Sequence, residues 1–257
     1  MEDVLLVPET GERKRVAFTT PAWEVFVEEF KKVSHIAMPM VVVTVSQNLL
    51  RVASMMMVDH LGELSLSGAA IATSLTNVTG FSLLLGMANA LETLCGQAYG
   101  AKQYQKLGIY TNGAIISLIL VCLPVSALWF FMVKVLIFAS QDPSIALEAG
   151  KYSIWLIPAL YAHAILQLLV RYLQTQSLIF PMLLSSTAAL CFHIPLKLGN
   201  SGGALAIGLS YWLNVILLGL YVKYSSACEK TRISFSKEVI PSMREFFHFA
   251  IPSAAMV

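Results

Sequence analysis

The chain has 257 residues, of which 57% are hydrophobic and only 12% are charged, and its formal net charge is +2. Soluble domains carry roughly 25% charged residues, so this composition excludes an ordinary water-soluble protein and predicts an all-α polytopic membrane protein. The four cysteines are scattered without the spacing of metal ligands, and we find no nucleophile elbow or phosphate loop. Neither a metal site nor an enzyme is therefore expected.

The N-terminal residues 1–33 are predicted to form a cytoplasmic tail. They begin with a polar, charged stretch that lacks the apolar core of a cleaved signal peptide. Within the tail, Val25, Phe26 and Phe30 alternate with acidic and basic residues, which indicates a short amphipathic helix lying at the membrane interface. Residues 239–248 are predicted to have the same role later in the chain.

Residues 34–222 are predicted to form six transmembrane helices, because a bilayer requires about 20 mostly apolar residues per span. The connections between them are expected to be short loops, including residues 92–108 and 140–151. The predicted spans are 34–58, 66–90, 109–139, 152–170, 178–194 and 202–222.

The distribution of basic residues predicts that both chain ends lie in the cytoplasm. Most of the 17 lysines and arginines fall on the side of the termini. Only Lys134, Lys151 and Lys197 fall on the opposite side, and Arg51 lies within the first span. Positive loops face the cytoplasm. Residues 223–245 are accordingly predicted to be a cytoplasmic linker.

A short internal repeat links the two ends of the chain. Residues 35–39 and 248–252 both read His, apolar, Ala, apolar, Pro, and an apolar run follows each proline. Long-range self-similarity of this kind marks transporter halves built from one structural repeat. We therefore interpret residues 246–257 as the truncated start of a seventh helix.

Polar residues recur at helical spacing on four of the predicted spans, which indicates a bundle with a wet interior and a cavity. Ser and Thr also bridge helices, at roughly 0.6 kcal/mol per contact, so packing is the alternative reading. Arg51 is expected to snorkel to the outer surface, and His163 is expected to be a packing residue. The candidates for lining the cavity and contacting substrate are Thr44, Gln47, Asn48, Arg51, Thr73, Thr76, Asn77, His163, Gln167, Ser210, Tyr211 and Asn214.

Three stretches carry a resemblance to a known family. Residues 85–102 read LGMANALETLCGQAYGAK, residues 60–64 read HLGEL, and residues 211–215 read YWLNV. In these motifs the chain resembles plant-type, DETOXIFICATION-like members of the multidrug and toxic compound extrusion (MATE) family, from about residue 31 to the end. The signature residues, expected in the loop after the second span, are Glu92, Cys95, Gly96, Gln97, Tyr99 and Gly100.

The resemblance implies the six-helix N-lobe of a twelve-helix MATE fold, plus the start of helix seven. It also implies proton-coupled efflux of an organic cation, phenolic metabolite or other xenobiotic across the plasma or vacuolar membrane, with the proton gradient as energy source and no other cofactor. The carboxylate of helix seven in plant-type members would follow Val257, so we expect a truncated form that is inactive alone. The alternatives are a non-transporting half-isoform that pairs with and regulates a full-length carrier, and a self-pairing half-transporter.

Overall fold

A computed structural model describes residues 22–59, 62–193, 200–231 and 239–256, and every regular element within these ranges is helical. The chain divides into two compact units, Met1–Ala37 and Met38–Val257. In the described part of the first unit, the exposed rings of Trp23, Phe26 and Phe30 stack along one side of the helix, with centroids 5.7 and 6.1 Å apart. The interfacial role of this segment stays a prediction.

The helices follow one another with short connections. The bounds are α1 (Ala22–Asp59), α2 (Glu63–Thr76), a π-helical turn (Asn77–Ser82), α3 (Leu83–Gly100), α4 (Tyr104–Phe130), α5 (Met132–Phe138), α6 (Pro143–Thr175), α7 (Phe180–His193), α8 (Asn200–Tyr224) and α9 (Val239–Ala254).

Four helical segments of the described residues are long and apolar enough to cross a membrane. They are Glu63–Gly100, Tyr104–Phe130, Pro143–Thr175 and Gly203–Tyr224. Phe180–Cys191, within the predicted fifth span, is apolar but shorter. The predicted first span is helical as part of α1 but is not among the four.

Helix α6 lies at the centre of the bundle and packs against α2, α3, α4, α5 and α8. Small residues make this approach close: Gly208 of α8 lies against Ala159, and Gly68 of α2 lies against the backbone at Ala149. Interfaces between membrane helices favour such small side chains. Lipid tails are as apolar as leucine, so burying apolar surface does not drive the helices together, and close van der Waals packing stabilises their contact instead. The centre of the fold is therefore a helix that is buried along much of its length, with an exposed stripe at Leu147, Ile154 and Trp155.

Two predicted loops are wrong because the helices extend through them. Residues 92–100 belong to α3, since this proline-free stretch contains strong helix formers and ends at a turn where Lys102 adopts a positive φ of 58°. Helix α6 begins at Pro143 instead of near residue 152, because the Asp142 side chain accepts hydrogen bonds from the backbone of Ser144 and Ile145. The predicted third span is also interrupted at Phe131, between α4 and α5.

Helix α9 packs into the groove formed by α3 and α4. Phe246 is 1% exposed, and the Ser253 hydroxyl donates a 2.7 Å hydrogen bond to the Gly86 carbonyl of α3. A Cβ atom on Gly113 of α4 would collide with the Ser242 hydroxyl, so these two helices touch through a glycine. The predicted linker at 223–245 is thus helical at both of its ends, while residues 232–238 lie outside the described part.

Candidate functional site

A cavity of about 400 Å³ lies among α1, the π-helical turn, α3, α6 and α7. Seven of the predicted candidates line it, so the polar stripes on α1 and α6 do converge. Its walls are formed by Met40, Val43, Thr44, Gln47, Asn48, Arg51, Asn77, Phe81, Ser82, Leu85, His163, Gln167, Val170, Arg171, Gln174 and Met182.

The π-helical turn decides which residues of the second span reach the cavity. An i→i+5 turn inserts an extra residue, so a 3.6-residue stripe changes face as it passes through the turn. Asn77 lines the cavity, but Gly80, three residues later, packs against the ring of Trp129. Phe81 and Ser82 take its place. Phe81 was missed because only polar side chains were followed along the stripe, and Ser82 was missed because it lies five residues after Asn77, a spacing that only the π turn brings to one face.

Arg51 points into the bundle, so the prediction that it snorkels outward is wrong. Its Nε donates a 3.2 Å hydrogen bond to the Tyr211 hydroxyl of α8, and its Cζ lies 5.5 Å from the centroid of the Phe81 ring. A hydroxyl acceptor and the negative face of an aromatic ring both stabilise a guanidinium in a helical bundle. These partners come from distant parts of the chain, and the first span alone gave no sign of them.

A second, smaller cavity of about 110 Å³ adjoins the first, and Arg51, Asn77 and Phe81 line both. Three further candidates, Thr73, Thr76 and Tyr211, line only this smaller space. The Thr76 hydroxyl is already bonded to the Ala72 carbonyl at 2.7 Å.

Two predicted candidates, Ser210 and Asn214, line neither cavity. Asn214 is 1% exposed and donates a 3.3 Å hydrogen bond to the Ser186 hydroxyl of α7. Such a bond between buried polar groups joins α7 to α8. The structure thus places Asn214 against α7, whereas Tyr211 of the same predicted stripe lines the smaller cavity.

His163 is 2% exposed and packs edge-to-face against Phe81, with ring centroids 4.9 Å apart. The ring is a packing element, as predicted, but it also lines the larger cavity. Its Nδ1 atom is buried and has no hydrogen-bond partner among the described residues. An unsatisfied polar atom beside a cavity is uncommon, since most buried polar groups have a partner.

A polar network connects α3 to α6 at one end of the cavity. Arg171 donates to Asn89 at 2.7 Å and to Gln174 at 3.0 Å, and it pairs with Glu92 at 3.4 Å. Gln174 in turn donates to Glu92 at 3.1 Å. Gln174 was missed because the predicted fourth span ended at residue 170, although it lies seven residues after Gln167 and continues the same stripe.

The signature residues lie outside the 400 Å³ cavity. Glu92 belongs to the α3–α6 network, and Cys95 is buried with its Sγ 3.9 Å from the Thr111 hydroxyl. The other four signature residues are exposed near the C-terminal end of α3: Gly96, Gln97, Tyr99 and Gly100. The part of the chain that the structure describes holds no group of three His, Cys, Asp or Glu residues arranged to bind a metal.

Comparison with known proteins identifies the family. Residues 39–198 match the family described as MatE. The chain belongs to the MATE family. Protein DETOXIFICATION 14 of Arabidopsis thaliana is 54% identical over 240 residues, which cover 90% of this chain and 50% of that protein. Protein DETOXIFICATION 6 of the same plant is 51% identical over 269 residues, and the match covers 100% of this chain and 55% of that protein.

A solved MATE structure confirms the fold. The crystal structure of the eukaryotic MATE transporter AtDTX14 superposes with a TM-score of 0.87 at 53% identity, covering 90% of this chain and 54% of that one. The chain thus spans about half the length of the curated relatives that it matches. The predicted family and its all-helical MATE fold are confirmed. MATE proteins are integral membrane transporters and not enzymes, as predicted.

Proposed function

We propose that this chain provides the cavity-bearing lobe of a secondary active efflux transporter for small organic molecules. The observation that carries the proposal is the 400 Å³ cavity, where polar side chains of several helices meet within an apolar bundle. Polar residues inside a membrane are costly unless they face protein or water, and those that persist mark substrate pathways. The volume lies within the roughly 300–1,000 Å³ typical of small-molecule pockets.

The helices that line the cavity contain features suited to bending. Pro39 lies within α1 and Pro158 within α6, and the π-helical turn precedes α3. Prolines and π turns interrupt the regular hydrogen-bond ladder and are common sites of helix kinks. Alternating access in transporters requires such elements to tilt or bend around a shared site. We further propose, from the family resemblance, that a proton gradient drives the cycle and that both chain ends face the cytoplasm.

Transport is testable with the 257-residue chain in proteoliposomes. One arm uses ethidium as an organic cation and another uses 7-hydroxycoumarin as a phenolic compound, each under an imposed proton or sodium gradient. Although the family resemblance implied a chain that is inactive alone, the cavity leads us to expect gradient-driven movement of at least one compound with protons, and a loss of at least about tenfold in rate for Gln167→Leu, whose amide lines the cavity. The exposed Gln105→Leu is the matched control. Movement driven only by sodium would contradict proton coupling, and no movement of either compound would contradict transport by this chain.

A second function, a non-transporting half that pairs with and regulates a longer carrier, is favoured by the open side of α1. Thr44 and Asn48 both line the cavity and yet are exposed in this chain. Each donates a 3.0 Å hydrogen bond to a backbone carbonyl of its own helix, but polar groups at this depth are better covered by protein than by lipid. We expect co-purification with full-length DETOXIFICATION 14 in mild detergent if this proposal holds. Recovery of the carrier without the chain would contradict it.

A further inference from the structure

The larger cavity carries positive charge without a matching carboxylate. Two arginines line it, and no aspartate or glutamate of the described residues does. Arg171 is balanced by Glu92 at 3.4 Å, whereas no carboxylate in the described ranges pairs with Arg51. A charge held in an apolar bundle without a counter-charge is costly. The environment of Arg51 therefore favours an anion within the cavity.

The Arg51 guanidinium is held in place with donors to spare. Its Nε is bonded to the Tyr211 hydroxyl at 3.2 Å, and Phe81 lies against its Cζ at 5.5 Å. Within the described part of the chain, the bond from Nε is the one side-chain hydrogen bond found for Arg51. A guanidinium presents its N–H groups as a planar fork that matches a carboxylate in two-point contact. The fork is thus oriented before any ligand arrives.

His163 packs into the wall of the same cavity. It is 2% exposed, lines the same cavity as Arg51, and its buried Nδ1 has no partner in the described ranges. The Nδ1 atom has almost no accessible surface, so a molecule in the cavity does not reach it. The imidazole ring therefore forms part of the wall, and contact with an anion is left to the Arg51 guanidinium.

The rest of the wall suits the body of such a ligand. Apolar side chains from five elements complete the cavity around the polar groups: Met40, Val43, Phe81, Leu85, Val170 and Met182. We propose that the cavity binds amphiphilic organic anions, specifically aromatic carboxylates, with the carboxylate on Arg51 and the ring against the apolar wall. The inference rests on the proposed function, because it names the class of compound that is transported. It predicts that this lobe prefers organic anions to organic cations.

Equilibrium binding tests the inference separately from transport. The chain is purified in lipid nanodiscs, and the fluorescence polarisation of 7-methoxycoumarin-3-carboxylate is compared with that of its uncharged carboxamide. We expect the carboxylate to bind at least about tenfold more tightly, because hydrogen bonds to charged groups are the stronger ones. Equal affinity of the two probes, or no binding of either, would overturn the inference. Selective binding without transport would leave it standing and contradict only the proposed efflux.

Two variants locate the anion at Arg51. Arg51→Gln should reduce the preference for the carboxylate to less than about twofold, whereas Arg244→Gln, which changes an exposed arginine on α9, should leave it unchanged. If Arg51→Gln does not fold, Asn48→Asp is the replacement test. This substitution keeps the size of the side chain and places a carboxylate three residues before Arg51 on the same helix face. That carboxylate should also abolish the preference. A preference that survives both variants, or displacement of the probe by millimolar chloride, would overturn the assignment to an organic anion.

Discussion

Arg171 of α6 donates a 2.7 Å hydrogen bond to the Asn89 side chain of α3, 82 residues earlier in the chain. The guanidinium is 18% exposed and is also paired with Glu92. Because Arg171 lines the larger cavity as well, the bond joins two walls of that cavity at one end. The same arginine thus links the stability of the bundle to the shape of the site.

Replacing Arg171 should destabilise the bundle measurably. Arg171→Met keeps the length of the side chain but leaves the acceptor oxygens of Asn89 and Gln174 without their donor. We expect a loss of about 1–3 kcal/mol in the free energy of unfolding in mild detergent, the usual cost of a buried polar group left unpaired. Glu92→Gln is the control. Glu92 is 43% exposed, so this change should cost less than about 1 kcal/mol. A larger loss for Glu92→Gln would show that the network is organised around the carboxylate.

Gly80 in the π-helical turn should not tolerate alanine, because the new Cβ would collide with Cζ2 of Trp129 and lie 3.1 Å from Leu160. Overpacking of this kind costs about 1–3 kcal/mol. Trp129→Phe removes the atom that collides, so the penalty for Gly80→Ala should fall to roughly half or less in that background. A double-mutant cycle of unfolding free energies measures this coupling.

The matched control for Gly80 is Gly96→Ala. Gly96 also lies within a helix, but nothing lies within 4 Å of its added Cβ. Alanine should therefore be neutral or should stabilise by up to about 1 kcal/mol, through its higher helix propensity. Equal penalties at Gly80 and Gly96 would contradict the packing described for the π-helical turn.

Phe246 should anchor α9 in the groove between α3 and α4. Phe246→Ala removes a side chain that is 1% exposed, and we expect amide hydrogen exchange to accelerate over residues 239–254 while α6 remains protected. Phe249→Ala changes a ring on the same helix that is 38% exposed and should have little effect. Acceleration throughout the bundle would mean that α9 is not a separate cooperative unit.

Asp142 should stabilise the start of α6 as an N-cap. Its Oδ1 accepts hydrogen bonds from the amides of Ser144 at 2.8 Å and Ile145 at 3.4 Å. Asp142→Ala should cost about 1 kcal/mol, and Asp142→Asn, which keeps an acceptor oxygen, should cost only a few tenths. Thermal unfolding midpoints of the two variants provide the comparison. Equal shifts would indicate that the negative charge near the helix N-terminus, and not the capping hydrogen bond, provides the stabilisation.

The polar face of α1 could be predicted well from sequence, whereas that of the second span could not. Four polar positions of α1 share one face in a regular helix, and all of them line the larger cavity: Thr44, Gln47, Asn48 and Arg51. In the second span the π-helical turn changes the register after Asn77, and Gly80 packs against Trp129. On α8 the polar residues do recur at helical spacing, but Asn214 donates a hydrogen bond to Ser186 of the neighbouring helix α7. A periodic pattern identifies a face and not the neighbour of that face.

The sequence by itself determined that this is a helical membrane protein, and it determined the family. Composition, span length and the signature at residues 85–102 are local properties of the chain and can be read without the fold. Only the tertiary structure decided the direction of Arg51 and the position of Asn214 against α7. The physical reason is that a polar side chain in an apolar bundle adopts the position of its nearest partner. For Arg51 that partner is Tyr211, 160 residues away, and such a separation leaves no trace in local spacing.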